Sequence, residues 1–196
     1  MDAEMQLLKA QIHPHFLFNT LNNIYSFTLN NSSKASMLVL KLSAMMNYII
    51  SDCEKTEVDL DKELQLLSDY IELERVRYGN QLEVEINISG TSSDKKIAPL
   101  LMIPFVENAF KHGTSKMLEQ PWLKMQIEIQ EYLLNFQLQN SVPDNIIQNQ
   151  KKGIGLDNVK KRLQLLYPEK YKLNIRTETG FFSVGMQIPV HYDHSP

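Results

Sequence analysis

The chain has 196 residues, which is enough for one large domain or two small ones with their own cores. A hydrophobic content of 43% and a charged content of 22% are typical of a soluble globular protein, and a formal net charge of -3 argues against a nucleic-acid-binding protein. The single cysteine, Cys53, excludes an internal disulfide framework, and no apolar run reaches the roughly 20 residues of a membrane-spanning helix.

The first third of the chain predicts three helices. Residues 3–29 contain no glycine, and Pro14 is the only helix breaker there, so we expect a kink at that position. Apolar residues recur on one broad face over residues 34–50, which indicates the second helix. The third is predicted over residues 59–77, opened by Asp59 and ended by Gly79.

The rest of the chain predicts an α+β domain, because the apolar period changes from helical to two. The expected strands are residues 82–88, 123–129, 134–138, 172–176 and 182–190, and the expected helices are 99–111, with Gly113 as its C-cap, and 156–167. Residues 89–96 are predicted to be a polar loop and residues 141–152 a mobile loop. We therefore expect dimerisation helices in residues 1–79, followed by an α/β sandwich in residues 80–196.

Two histidines lie in the first helix, on either side of Pro14. At about 100° per residue, the residues within roughly 40° of His15 are polar: Gln11, Asn19, Asn22 and Ser26. The opposite side carries the expected core stripe: Leu17, Leu21 and Ile24. His15 therefore belongs to a polar face and His13 to the edge of the apolar stripe, which does not favour a metal pair. Alone, a surface histidine on a helix does not establish a function.

The motifs around this segment resemble those of one family. Gln11-Ile-His-Pro-His-Phe-Leu-Phe-Asn-Thr-Leu-Asn is similar to the phosphoacceptor segment of the LytS-like sensor histidine kinases. Further matches follow in order: Leu60-Asp-Lys-Glu-Leu, Tyr70-Ile-Glu-Leu-Glu, Arg77-Tyr-Gly, Pro104-Phe-Val-Glu-Asn-Ala-Phe-Lys-His-Gly113 and Gly153-Ile-Gly-Leu-Asp-Asn-Val-Lys-Lys-Arg-Leu163. A lone Gly-Ile-Gly would be weak, but these segments in this order are specific and extend over nearly the whole chain.

The resemblance implies a phosphoacceptor and an ATP site. In the family the histidine before Phe-Leu-Phe-Asn accepts the phosphoryl group, which corresponds to His15. The catalytic domain is expected to have the ATP-binding fold of histidine kinases, gyrase, Hsp90 and MutL. In that fold the asparagine matched by Asn108 coordinates Mg²⁺, a cation that prefers oxygen ligands. Lys111 and His112 flank Asn108 on the same predicted helix and can contact phosphates, although a helix ending in Lys-His is also favoured by its dipole.

A glycine-containing segment before the last predicted helix completes the expected phosphate site. Gly153 and Gly155 allow the backbone to approach phosphates, and the helix that begins near Leu156 offers its N-terminus to an anion. Lys152 adds positive charge. The loop over residues 141–152 corresponds to the lid that closes over ATP in this fold, and we expect Arg162 to support structure rather than to touch the nucleotide.

The sequence departs at two positions from the pattern of many histidine kinases. Asn140 stands where many kinases of this fold carry the aspartate that accepts the adenine amino group, so we expect adenine binding through a weaker, neutral acceptor. Phe16 follows His15 where an acidic residue is usual. Glu107, beside Asn108, is then the candidate that receives the histidine proton, with an exposed helix carboxylate as the equally open alternative.

The function that these residues favour is an ATP- and Mg²⁺-dependent protein-histidine kinase of a two-component system. It would phosphorylate His15, transfer the phosphoryl group to an aspartate of a response regulator receiver domain, and form a homodimer through a four-helix bundle. We expect the chain to be the cytoplasmic portion of a bacterial inner-membrane sensor. Two alternatives stay open: a serine protein kinase of the same fold, and a non-catalytic docking module with weakened nucleotide binding.

Overall fold

A computed structural model of the protein describes residues 14–29, 33–113, 120–143 and 154–192. The elements in chain order are α1 (Pro14–Leu29), α2 (Lys34–Ser51), β1 (Val58–Asp59), α3 (Leu60–Tyr78), β2 (Glu83–Gly90), β3 (Lys95–Ile97), α4 (Ile103–Asn108), β4 (Trp122–Ile129), β5 (Leu133–Ser141), α5 (Ile154–Leu166), β6 (Lys172–Glu178), β7 (Phe181–Pro189) and β8 (His191–Tyr192). A 3₁₀ turn, Gly79–Gln81, follows α3, and a π-helical turn, Ala109–Gly113, extends α4.

The strands form two sheets. The larger one is mixed and five-stranded, in the order β2-β4-β5-β7-β6, with β2 parallel to β4 and the other neighbours antiparallel. The smaller one has the order β1-β3-β8. In β4 buried residues alternate with exposed ones, which is why the period of two identified this strand. The α+β fold class and both hairpins of the larger sheet are confirmed.

The structure differs from the sequence-based elements at the short strands and around α4. Residues 89–96 are not all loop, because β2 continues to Gly90 and β3 begins at Lys95. The two- and three-residue strands β1, β3 and β8 were not predicted, since such short segments show no period. The helix expected from residue 99 begins only at Ile103, and residues 98–102 form a turn instead. The kink expected at Pro14 depends on residues before 14, which lie outside the described ranges. The loop expected over 141–152 is described only as far as residue 143.

The buried face of α1 agrees with the expected stripe at Leu17 and Ile24 but differs from it at Leu21. Phe16, Thr20 and Ile24 are buried, and the Phe16 ring stacks on Tyr70 of α3 with centroids 4.7 Å apart. Leu21, expected in the core, is 53% exposed. The helix is rotated because the aromatic contact with α3 draws Phe16 inward, a choice that periodicity within one helix cannot reveal.

Helix α3 joins the helical hairpin to the sheets. Lys41 of α2 forms ion pairs with Asp69, at 2.6 Å, and with Glu72, at 2.7 Å, while buried residues of α1, α2, α3 and both sheets belong to one hydrophobic core. Strand β1, before α3, pairs with β3, so this pairing crosses the proposed boundary between residues 79 and 80. The division into two domains there stays a prediction.

The turn between β3 and α4, residues 98–102, is completely buried, and we refer to it as the buried turn. Leu100 has a left-handed backbone with φ of 56°, which is strained for a leucine. Its N–H donates to Glu63 Oε1 at 2.8 Å, and Tyr48 of α2 donates its hydroxyl to the same oxygen. Arg162 of α5 donates to the carbonyl of Leu100 at 3.3 Å and to that of Pro99 at 2.9 Å. Side chains from two helices, α3 and α5, thus satisfy the turn's backbone, and Tyr48 of α2 supports Glu63.

Removal of the Glu63 carboxylate should destabilise the whole fold. Glu63→Ala leaves the Leu100 N–H and the Tyr48 hydroxyl buried without their acceptor, so the free energy of unfolding should fall by about 3 kcal/mol. Glu63→Gln retains an acceptor oxygen and should cost less. Urea unfolding followed by circular dichroism measures both, with Glu178→Ala on exposed β6 as the control; equal stability of Glu63→Ala and the control would contradict this assignment.

Candidate functional site

A cavity of about 680 Å³ lies between α1, α3 and the helix that α4 forms with its π-helical turn. Its lining residues come from these three elements: Phe16, Asn19, Asn22 and Asn23 from α1, Tyr70, Glu74 and Arg77 from α3, and Glu107, Phe110 and Lys111 from the third helix. The volume is within the range of ligand-binding clefts. We call this space the inter-helix cavity; it places the helix that contains His15 opposite the helix that contains Asn108.

Two carboxyl groups of the inter-helix cavity are partly removed from water. Burial raises the pKa of Glu107 to about 7, with Lys111 opposing the shift and Glu74 adding to it. Burial also raises the pKa of Glu74, whose Oε2 lies 3.4 Å from Nη1 of Arg77, a cation that opposes the shift. Glu107 therefore changes protonation state near neutral pH, as a group that accepts a proton during catalysis must.

The position of Glu107 and Lys111 follows from how α4 is packed. Phe105 and Val106 are buried, and the Phe105 ring lies 5.9 Å from that of Phe136 in β5, which fixes the inner face of the helix. Beyond Asn108 the chain continues as a π-helical turn, a feature frequent at functional sites. Glu107 and Lys111 both line the inter-helix cavity, so the structure brings these two side chains together. Asn108, next to Glu107 along the chain, is half-buried. The side chain of His112 lies outside the described residues.

Asn140 lies at the end of β5 and is 1% exposed. Its Nδ2 donates to the carbonyl of Ser141 at 2.9 Å, and this bond fixes the orientation of the amide. Among the described residues, its buried Oδ1 accepts no hydrogen bond. A buried acceptor without a donor is costly, so this oxygen is suited to a ligand's N–H group. The geometry fits the predicted contact with an adenine amino group.

The phosphate loop is only partly described. Lys152 and Gly153 lie outside the described residues, and Leu156 packs in the first turn of α5 against the core. Gly155 is exposed, and a Cβ at its position would meet nothing within 4 Å. The phosphate contacts of this loop stay a prediction. Arg162 supports structure, as expected, and it does so by donating to two backbone carbonyls of the buried turn.

Among the cavity residues that were not predicted as site residues, three belong to α3, namely Tyr70, Glu74 and Arg77. They belong to the matched segments Tyr70-Ile-Glu-Leu-Glu and Arg77-Tyr-Gly, so the motifs contained a signal. Their chemistry could not be interpreted without knowing that α3 faces both α1 and the helix that contains Glu107.

Comparison with known proteins gives one consistent result. A family model described as Histidine kinase matches residues 3–82. The Sensor protein LytS of Staphylococcus epidermidis is 28% identical over 200 residues, which are 96% of this chain and 34% of that protein. The Sensor histidine kinase BtsS of Escherichia coli is 28% identical over 188 residues, 95% of this chain and 33% of that protein. The predicted resemblance to LytS-like sensor histidine kinases is confirmed.

The fold is similar to that of a solved histidine kinase domain. The histidine kinase domain of the Erythrobacter litoralis EL346 blue-light activated histidine kinase superposes with a TM-score of 0.52, covering 96% of this chain and 94% of that one at 15% identity. The chain spans about a third of the length of the LytS and BtsS proteins that it matches.

In the described ranges, no helix is long and apolar enough to cross a membrane. In the same part of the chain, His, Cys, Asp and Glu side chains form no group of three or more that could hold a metal ion.

If Asn140 binds adenine, its loss should weaken nucleotide binding. Asn140→Ala removes the free Oδ1 acceptor, so the Kd for ATP with Mg²⁺ should rise about tenfold, the equivalent of one hydrogen bond. Isothermal titration calorimetry measures this change. Asn174→Ala, on the exposed side of β6, is the matched control. An unchanged Kd for Asn140→Ala would remove Asn140 from the nucleotide site.

Proposed function

We propose that this chain is the catalytic part of a sensor histidine kinase that phosphorylates its own His15 from ATP and then phosphorylates an aspartate of a response regulator. The inter-helix cavity is the observation that carries the proposal. It lies between the helix of the phosphoacceptor segment and the helix of the Asn108 segment, and its lining includes carboxyl groups and cations. This arrangement is suited to phosphoryl transfer, which depends mainly on positioning and on charge stabilisation.

The residues divide the chemistry between them. A neutral imidazole nitrogen of His15 attacks the γ-phosphorus of ATP, a nitrogen–phosphorus bond forms, and the bond to the ADP oxygen breaks. Histidine has an unperturbed pKa of roughly 6.5, so it is nucleophilic at neutral pH without a strong base. Glu107 receives the proton that the ring releases. Lys111, His112 and Lys152 stabilise the phosphate charge, while Gly153, Gly155 and Leu156 approach the phosphates through the backbone.

The nucleotide and its metal would be held at two asparagines. The buried Oδ1 of Asn140 accepts from the adenine amino group. The amide oxygen of Asn108 is a hard ligand of the kind that Mg²⁺ takes, with water and phosphate oxygens in the rest of its shell. Bound Mg²⁺ would supply charge neutralisation on the phosphates.

The protein would act as a homodimer. Phe18, Tyr25 and Leu29 of α1 are each more than 60% exposed, and Leu40 of α2 is 70% exposed. An apolar surface of this kind on two neighbouring helices is suited to a second copy, which would complete a four-helix bundle. The receiver domain of a response regulator is the proposed phosphoryl acceptor, and the chain would be the cytoplasmic portion of an inner-membrane sensor.

Incubation with γ-labelled ATP and Mg²⁺ tests the proposed reaction. The native chain and His13→Gln should become labelled, whereas His15→Gln should not, because only His15 is the acceptor. The label should be lost in acid and survive in base, as expected of phosphohistidine. An acid-stable label would favour the serine kinase, and absence of nucleotide binding would favour the docking module; either result would contradict the proposal.

The role of Glu107 has its own test. Glu107→Gln keeps the size of the side chain but cannot take a proton, so the rate of autophosphorylation should fall about tenfold or more while the Kd for ATP is retained. Single-turnover labelling gives the rate and calorimetry gives the Kd, with Glu178→Gln as the exposed control. An unchanged rate would show that Glu107 is an ordinary helix carboxylate.

A further inference from the structure

Both walls of the inter-helix cavity belong to the same chain. On one wall, Phe16 directly follows His15 along α1, and Asn19 lies one helical turn beyond it. On the other wall, Glu107 and Lys111 are contributed by the helix that contains Asn108. The cavity thus lies between the acceptor helix and Lys111, a predicted phosphate-binding residue of the same chain.

A series of aromatic contacts holds these walls together. The Phe16 ring stacks on Tyr70 at 4.7 Å, Tyr70 meets the edge of Phe110 at 6.1 Å, and Phe110 lies 6.0 Å from Tyr78. Phe16, Tyr70 and Phe110 are all buried. The acceptor helix is therefore packed onto α3, and α3 onto the π-helical turn, through side chains of one chain.

We propose that autophosphorylation occurs in cis, so that ATP bound to one chain phosphorylates His15 of that same chain across the inter-helix cavity. This inference rests on the proposed kinase function and adds to it which His15 is the acceptor. The transferred γ-phosphoryl group leaves ADP and joins the imidazole nitrogen, and the displaced proton goes to Glu107 of the same chain.

Transfer in trans would require a different arrangement of the helices. The α1 helix of the same chain already forms one wall of the cavity, so the His15 segment of a partner could take that position only after α1 had moved. Such a movement would break the stack of Phe16 on Tyr70 and expose both rings. The exposed apolar residues of α1 and α2 lie outside the cavity lining, so a dimer can form on them while each cavity keeps its own α1.

A mixed complex separates the two directions. A native chain and an Asn108→Ala chain carry different affinity tags and different masses, and the mixed complex is isolated by two successive purifications. It is then incubated with γ-labelled ATP and Mg²⁺. Transfer in cis labels only the native chain, because the variant cannot use nucleotide. Transfer in trans labels only the Asn108→Ala chain, whose His15 is intact.

Each outcome is decisive. Label on the native chain at the rate per active site of the native protein is the expected result. Label on the Asn108→Ala chain, or loss of label from the native chain in the mixed complex, overturns the proposal. If no mixed complex forms because the chain is monomeric, the rate per native chain should be independent of concentration, and second-order labelling would overturn the proposal. Absence of label in the native protein by itself would instead overturn the kinase function.

A second variant tests the packing that places His15. Phe16→Leu weakens the stack on Tyr70 and should lower the first-order labelling rate about tenfold, with the Kd for ATP unchanged, because it misaligns the acceptor rather than the nucleotide. Phe18→Leu is the matched control, since Phe18 is 66% exposed and does not line the cavity. Equal rates for the two variants would contradict the assigned geometry.

Discussion

The Leu100 N–H donates to the buried carboxylate of Glu63 in a turn that has left-handed backbone and no exposed residue. Such a turn is stable only if side chains replace the hydrogen bonds that water would otherwise make. Glu63, Arg162 and Tyr167 do so, the last by accepting from the Ala98 N–H at 2.9 Å. Burial raises the pKa of Glu63, whereas the hydrogen bonds that it accepts from the Leu100 N–H and the Tyr48 hydroxyl lower it. The buried turn fixes where α4 begins, and thereby the positions of Glu107 and Asn108.

The same carboxylate connects the helical hairpin to the buried turn that precedes α4. Tyr48 reaches Glu63 from α2, and Lys41 of α2 is paired with Asp69 of α3. The hairpin is therefore attached to α3 through both of these side chains, and α3 supports the buried turn. The inter-helix cavity is the space left between these packed elements, which explains why a helix with no predicted chemistry contributes Glu74 and Arg77 to the site.

The sequence was sufficient to predict the long elements and to identify the motifs, but it could not predict the features that depend on tertiary contacts. Strand β4 and helix α3 have clear periods, whereas the late start of α4 depends on Glu63 and Arg162, which are distant along the chain. Leu21 was misassigned to the core because a helical wheel cannot show that Phe16 stacks on Tyr70. Asn140 was recognised as a departure from the motif, yet only the structure shows that its buried Oδ1 accepts no hydrogen bond among the described residues.

A structure of the chain with Mg²⁺ and a non-hydrolysable ATP analogue tests most directly the claim that the inter-helix cavity is the place of phosphoryl transfer. The account predicts that the adenine amino group lies within hydrogen-bonding distance of Asn140 Oδ1, and that the terminal phosphate enters the cavity beside Lys111, facing α1 of the same chain. A nucleotide whose terminal phosphate lies outside the cavity, directed away from α1, would contradict it.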